Sequence, residues 1–209
     1  MGQLSIPKEL WRLVDHIFTH GMQTPSLFLV SGDSDLIEQT RVCLDTGEAF
    51  GQALFTEIGI HSVCETITRL LAALPEPVVP YAYYNKCLNA CDQYQAARAA
   101  AQSLPTAHYN VFVYITSFLR EVIHPPKQRQ EQGRTDHPRN EEEENGDAAG
   151  IHMEKLALIF ASLILRDRER IPLDSEVTHT INQRKAAFLM HFLKIKTKSS
   201  DTPLTIASS

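Results

Sequence analysis

Four runs of apolar residues recur at helical spacing, and that recurrence constrains this 209-residue chain more than any other feature. Val63, Ile67, Leu70, Leu71 and Leu74 form one stripe along a helix that turns about 100° per residue. Val111, Ile115, Phe118, Leu119 and Val122 form a second, ended by Pro125-Pro126. Met153, Leu156, Ala157, Phe160, Leu163 and Ile164 form a third, and Phe188, Leu189, Phe192 and Leu193 belong to a fourth, in a helix expected from about Glu176 to Ile195. Shorter helices are expected at Pro7–His20, Ser34–Thr46, Tyr81–Cys91 and Gln93–Ser103. Ser62-Val63-Cys64-Glu65 reads as a capping box opening the first stripe, with Pro75 closing it. Gly21 and Gly47 are expected to supply left-handed stops for two of the shorter helices. No sustained alternation of apolar and polar residues supports strands. The chain reads as all-α.

The segment Lys127–Gly150 contains no Val, Ile, Leu, Met, Phe, Trp or Tyr, and sets four Lys/Arg against seven Asp/Glu. A stretch that buries nothing cannot offset its ordering entropy, so residues 127–150 are expected to be a disordered acidic linker. It divides a folded unit into a first part, residues 1–126, and last helices, residues 151–196, followed by a flexible tail over 197–209. The formal charge of −5 argues against a nucleic-acid partner, whose phosphates must be neutralised. Four cysteines make no disulfide scaffold and suit a reducing compartment. No apolar run reaches the roughly 18 residues of a membrane span. Neither terminus carries a complete lipidation signal and no secretory leader precedes the first helix, so a cytoplasmic chain without direct membrane insertion is expected.

Chemistry-bearing constellations are sparse. Cys87 and Cys91 lie four apart on an expected helix, but two more ligands at zinc spacing are missing, so they read as small buried thiols, with no metal and no cofactor expected. The nine histidines are scattered, with no His-Glu-x-x-His pair, and neither a nucleophile elbow nor a phosphate-cradling loop occurs. Trp11, the single tryptophan, sits roughly 90° off the centre of the stripe Leu10, Leu13, Val14, Ile17, Phe18. It fits a half-buried boundary residue or an aromatic anchor in a partner groove, and the sequence leaves both open.

Three segments carry a family resemblance. Thr24-Pro25-Ser26-Leu27-Phe28-Leu29-Val30-Ser31-Gly32 resembles the Gly-Ile-Phe-Arg-x-Ser-Gly signature of RhoGAP domains. Leu70-Leu71-Ala72-Ala73-Leu74-Pro75-Glu76-Pro77 resembles that family's Leu-Arg-Glu-Leu-Pro-Glu-Pro segment, and Leu156–Leu163 its Leu-Ala-x-x-Phe-Gly-Pro-Asn helix. Order and spacing agree over roughly residues 6–195, apart from the acidic linker. Seven further segments in register, among them Ile6–Trp11, Cys43–Gly47, Asn110–Phe112 and Ser162–Arg166, resemble the C-terminal RhoGAP-like domain of type II inositol polyphosphate 5-phosphatases, the branch of the Lowe oculocerebrorenal syndrome protein.

The resemblance implies a RhoGAP-like helical bundle. RhoGAP domains speed GTP hydrolysis with an inserted arginine, worth about 10³–10⁵ in rate. In register, that arginine position is held by Leu29, the supporting Lys and Arg by Thr68 and Ala72, and the Asn by Leu163. A domain without these polar groups is expected to be no enzyme, and the phosphatase domain is absent. The branch implies two partners: short helical peptides of endocytic adaptors carrying a Phe and a His, and Rac- and Cdc42-type GTPases held without catalysis. It places the peptide site at Trp11, to which helical geometry adds Leu10, Val14 and Phe18 as neighbours, and it implies recruitment to endosomes and the Golgi. The competing expectation is a working GTPase activator in which another arginine replaces the missing one.

Overall fold

The computed structural model describes residues 6–124, 141–168 and 175–194, and every α-helix, 3₁₀ turn and π turn among them agrees with the all-α expectation. Helix α1 (Lys8–His16) runs on into a π-helical turn, Ile17–Gly21. There follow α2 (Ser34–Thr46), α3 (Glu57–Ala73), α4 (Tyr84–Asn89), α5 (Tyr94–Gln102), α6 (Thr106–Ile123), α7 (Glu141–Ile164) and α8 (Ser175–Leu193), with 3₁₀ turns at Gln52–Phe55 and Tyr81–Tyr83.

Local chemistry sets these boundaries. Asp33 caps α2 by accepting from the N–H groups of Asp35 and Leu36 at 3.0 and 3.1 Å, and Gly47 ends the helix in the left-handed conformation, φ +79°. Thr56 caps α3, its hydroxyl accepting from Gly59 N–H. Central α3 packs on α1, α2 and α7, while α7 and α8 lie along one another and α6 touches both. Leu13, Ile17, Val63, Leu119, Phe160 and Phe188 are fully buried where these helices meet.

Three expectations need correction. Ser62 and Glu65 do not open a helix: α3 begins at Glu57, and Ser62 is buried within it. Gly21 is not a left-handed stop, since Gly47 is the one glycine with positive φ among the described residues. It is needed for close approach instead, because a Cβ there would lie 2.8 Å from Cγ2 of Ile60. The expected linker 127–150 is helical over its last ten residues, because α7 starts at Glu141. Adding turns to a packed helix avoids the cost of a new nucleus. Residues 127–140 and the expected tail 197–209 lie outside the described residues.

Candidate functional site

The loop between the π turn and α2 is fastened to α3 by backbone groups. Ser26 and Phe28 have left-handed φ values of 55° and 65°, and Leu29 N–H donates to Ser26 O at 3.0 Å. For non-glycine residues these conformations persist only where surroundings impose them. Phe28 supplies that reason: it is buried, with its ring edge-on to Phe118 and Phe160 at 5.8 and 5.0 Å. Burial pushes the pKa of the Cys64 thiol up to about 12, with the Phe28 backbone opposing the rise. At the loop's end, Gly32 N–H donates to Glu65 Oε2 at 2.8 Å and Asp33 N–H to Ser62 Oγ at 2.9 Å. Ser62 and Glu65, the misread capping pair, therefore cap a neighbouring segment. The bond from Gly32, with Arg69 adding to it, holds the Glu65 carboxyl below the usual carboxylate range.

The four positions matched to the family's polar groups carry little polarity. Leu29 and Leu163 are half-buried against the core, Ala72 is exposed, and the Thr68 hydroxyl donates to Glu65 O at 2.8 Å within its own helix. The guanidiniums nearby are engaged. Arg69 pairs with Glu65 at 2.8 Å, and Arg41 pairs with Glu38 and Asp45 on α2. Arg166 donates to Ala72 O at 2.7 Å and to Leu74 O, covering carbonyls that the end of α3 leaves open. Sequence reasoning quoted Arg166 within a motif and missed this role, which joins residues 92 and 94 positions apart.

A second face lies on α1. Trp11 is 50% exposed and Phe18 is 41% exposed, whereas Leu10 and Val14 are 2% and 1% exposed. Leu10 and Val14 are thus core residues and not neighbours on an open surface, because the centre of an apolar stripe is the direction that faces the core. Asp15 was missed; it stands on the Trp11–Phe18 side of the helix, exposed, four residues after Trp11. Helix α6 walls this face. Phe118 meets Phe18 edge-on at 5.4 Å, and the Tyr114 hydroxyl is pushed up to about 12 by burial and by the nearby charge of Asp15. This arrangement offers an aromatic platform beside an exposed carboxylate. Among the described residues, no three His, Cys, Asp or Glu side chains converge as a metal site, and no helix is long and apolar enough to cross a membrane. Cys87 and Cys91 are buried, the former pushed up to about 12 by burial.

A family model described as the RhoGAP domain matches residues 7–169. The mouse type II inositol 1,4,5-trisphosphate 5-phosphatase is 33% identical over 169 residues, which are 80% of this chain and 14% of that protein. Human Rho GTPase-activating protein 24 is 30% identical over 129 residues, 58% of this chain and 17% of that protein. The chain thus spans less than a fifth of the length of either relative. Among solved structures, human Rho GTPase activating protein 15 superposes with a TM-score of 0.65 at 18% identity, covering 88% of this chain and 80% of that one. The BH domain from the GTPase regulator associated with focal adhesion kinase gives the same score at 12% identity, covering 88% of each.

Proposed function

The chain belongs to the RhoGAP domain family, and from that premise we propose that it is an interaction module which keeps the family's loop while lacking the side chains that accelerate GTP hydrolysis. The observation that carries this reading is the hydrocarbon at Leu29 on a loop held to α3 by Ser62 and Glu65. A finger arginine lowers the barrier by roughly 4–7 kcal/mol through charge placed at the transferring phosphoryl group. Leu29 has no charge to place, and Thr68, Ala72 and Leu163 add none.

On this reading the loop face holds Rho-family GTPases of the Rac and Cdc42 type without catalysis, and the α1 face captures helical adaptor peptides. A partner phenylalanine packs on Trp11 and Phe18, and a partner histidine donates to the Asp15 carboxylate, the helix-in-groove mode of recognition. Such capture would bring the cytoplasmic protein to endosomes and the Golgi and serve signal transduction and membrane trafficking. The domain is then no enzyme and requires no cofactor.

The second reading, a working activator, has one observation in its favour: Arg69 shares Glu65 with the end of the loop. It would have to leave that carboxylate to reach a nucleotide. Single-turnover hydrolysis by Rac- and Cdc42-type GTPases decides between them. No stimulation is expected, and a hundredfold rise would establish the activator.

A further inference from the structure

The connection between α2 and α3, Gly47–Phe55, folds back over the side of α1 away from Trp11, since His16 stands about 140° around that helix from Trp11. Two side chains of α1 grip it. Arg12 donates to Cys43 O at 2.8 Å and to Glu48 O, and its guanidinium lies over the Phe50 ring, 5.0 Å from the centroid. His16 bonds Leu54 O through Nε2 at 2.9 Å and meets Phe50 and Phe55 edge-on at 5.0 and 4.9 Å. These rings close over the imidazole, leaving His16 6% exposed, whereas Glu48, Ala49, Gly51, Gln52 and Ala53 are exposed. The near end of the connection starts at the left-handed Gly47, and the far end is tied down by the buried side chain of Leu54.

The two grips answer differently to acid. A guanidinium keeps its charge throughout the physiological range, while histidine changes charge between pH 5 and 8. A proton on His16 is received where aromatic rings replace water, with the His20 ring 5.1 Å away and itself edge-on to Phe55 at 4.6 Å. Burial, the largest effect, and His20 hold the His16 pKa below its ordinary value, and the bond to Leu54 O and the Asp15 carboxylate oppose them without prevailing. Neighbouring elements turn their charges elsewhere: Glu57 and His61 of α3 lie 4.0 Å from one another, Glu38 and Asp45 of α2 pair with Arg41, and Glu48 stands in solvent. Moving Phe50 aside admits water to the imidazolium, so a proton there favours the displaced segment over the closed one.

We propose that Gly47–Ala53 is an acid-released strap, closed on α1 while His16 is neutral and swung away between Gly47 and Leu54 once His16 is protonated. The device is independent of the Leu29 loop and the Trp11 face and goes beyond the function proposed above. Amide hydrogen exchange of the ¹⁵N-labelled full chain tests it at Leu54 N–H, which donates to Gly51 O at 3.0 Å within the segment. Corrected for intrinsic exchange, protection there should fall at least threefold from pH 7 to pH 5.5, within the roughly tenfold ceiling set by one histidine of ordinary pKa about 6.5. A smaller change overturns the proposal. Exchange at that amide should be insensitive to sub-denaturing urea, the mark of a local opening, and exchange only together with the core amides of α6 overturns the proposal as well. His16→Gln keeps an N–H for Leu54 O but takes up no proton, so it should abolish the fall. Exposed His20→Gln removes a like charge and should lessen it, and this variant carries the test if His16→Gln does not fold. A fall undiminished in either folded variant refutes the strap.

Discussion

Gly32→Ala should release the loop from α3. A Cβ at position 32 would lie 2.5 Å from Ser62 Cα and 2.9 Å from Ser62 N, both backbone atoms within a packed helix. Ordinary carbon contacts are about 3.5–4.0 Å, so the loop must retreat by about 1 Å. The bond from Gly32 N–H to Glu65 is 2.8 Å and that from Asp33 N–H to Ser62 Oγ is 2.9 Å. A retreat of that size carries both past the hydrogen-bonding range of roughly 3.2 Å. A neutral bond contributes about 1 kcal/mol and one to a charged group about 1.5 kcal/mol or more, so with residual strain a loss of about 3 kcal/mol is expected. In a chain of this size that lowers Tm by roughly 6–12 °C. Urea and thermal unfolding followed by circular dichroism measure it, with Gly51→Ala as the control because nothing lies within 4 Å of a Cβ there. A loss below about 1 kcal/mol for Gly32→Ala, the control being neutral, would refute the seating of the loop on Ser62 and Glu65.

Trp11→Ala should weaken a Phe/His adaptor peptide by about 2 kcal/mol, about 30-fold, without unfolding the domain, since Trp11 is half exposed; calorimetry checks it, and unchanged affinity would remove the α1 face. Leu10→Ala should instead cost about 2–5 kcal/mol of stability, read by urea unfolding, because it opens a cavity in the core. Leu29→Arg alone should raise GTP hydrolysis less than tenfold in single-turnover assays, because Thr68, Ala72 and Leu163 still provide no polar support and such sets act as a unit; a hundredfold rise would break that argument. His16 is held below its ordinary pKa by burial, against the opposing bond to Leu54 O at 2.9 Å, with neighbouring His20 lowering it further. Its folded value is therefore below its unfolded one, so its contribution to stability is present above about pH 6.5 and is lost as pH falls through the folded value. Tm should fall between pH 7 and pH 5, and His16→Gln should flatten that slope.

The helices were legible because burying one face of a helix leaves a 3.6-residue period, and Val63–Leu74, Val111–Val122, Met153–Ile164 and Phe188–Leu193 each keep it. The turn at Gly47 was legible because only glycine takes its φ of +79° without a side-chain penalty. Contacts between distant segments were not. Ser62-x-x-Glu65 has the spacing of a capping box, but its partners are Asp33 and Gly32, 29 and 33 residues earlier. Asp15 reads as a solvated helix residue until α6 brings Tyr114 alongside it. Leu10 and Val14 differ for another reason: they neighbour Trp11 along the helix but point into the core, so nearness in sequence is not nearness on the surface.

What fastens the loop differs in kind from what it presents. Its anchors are the backbone N–H groups of Gly32 and Asp33, held by Glu65 and Ser62, together with the buried Phe28 ring. None of these involves the side chain at position 29. Exchange there between a guanidinium and a hydrocarbon therefore leaves the anchors in place. The shape of the loop and the charge at position 29 are separable properties of this bundle. On the proposed reading the chain keeps the first without the second, so Leu29→Arg should keep the fold and cost only the packing of a half-buried leucine, about 1 kcal/mol or about 2–4 °C in Tm; a loss above about 3 kcal/mol would make that side chain an anchor in its own right.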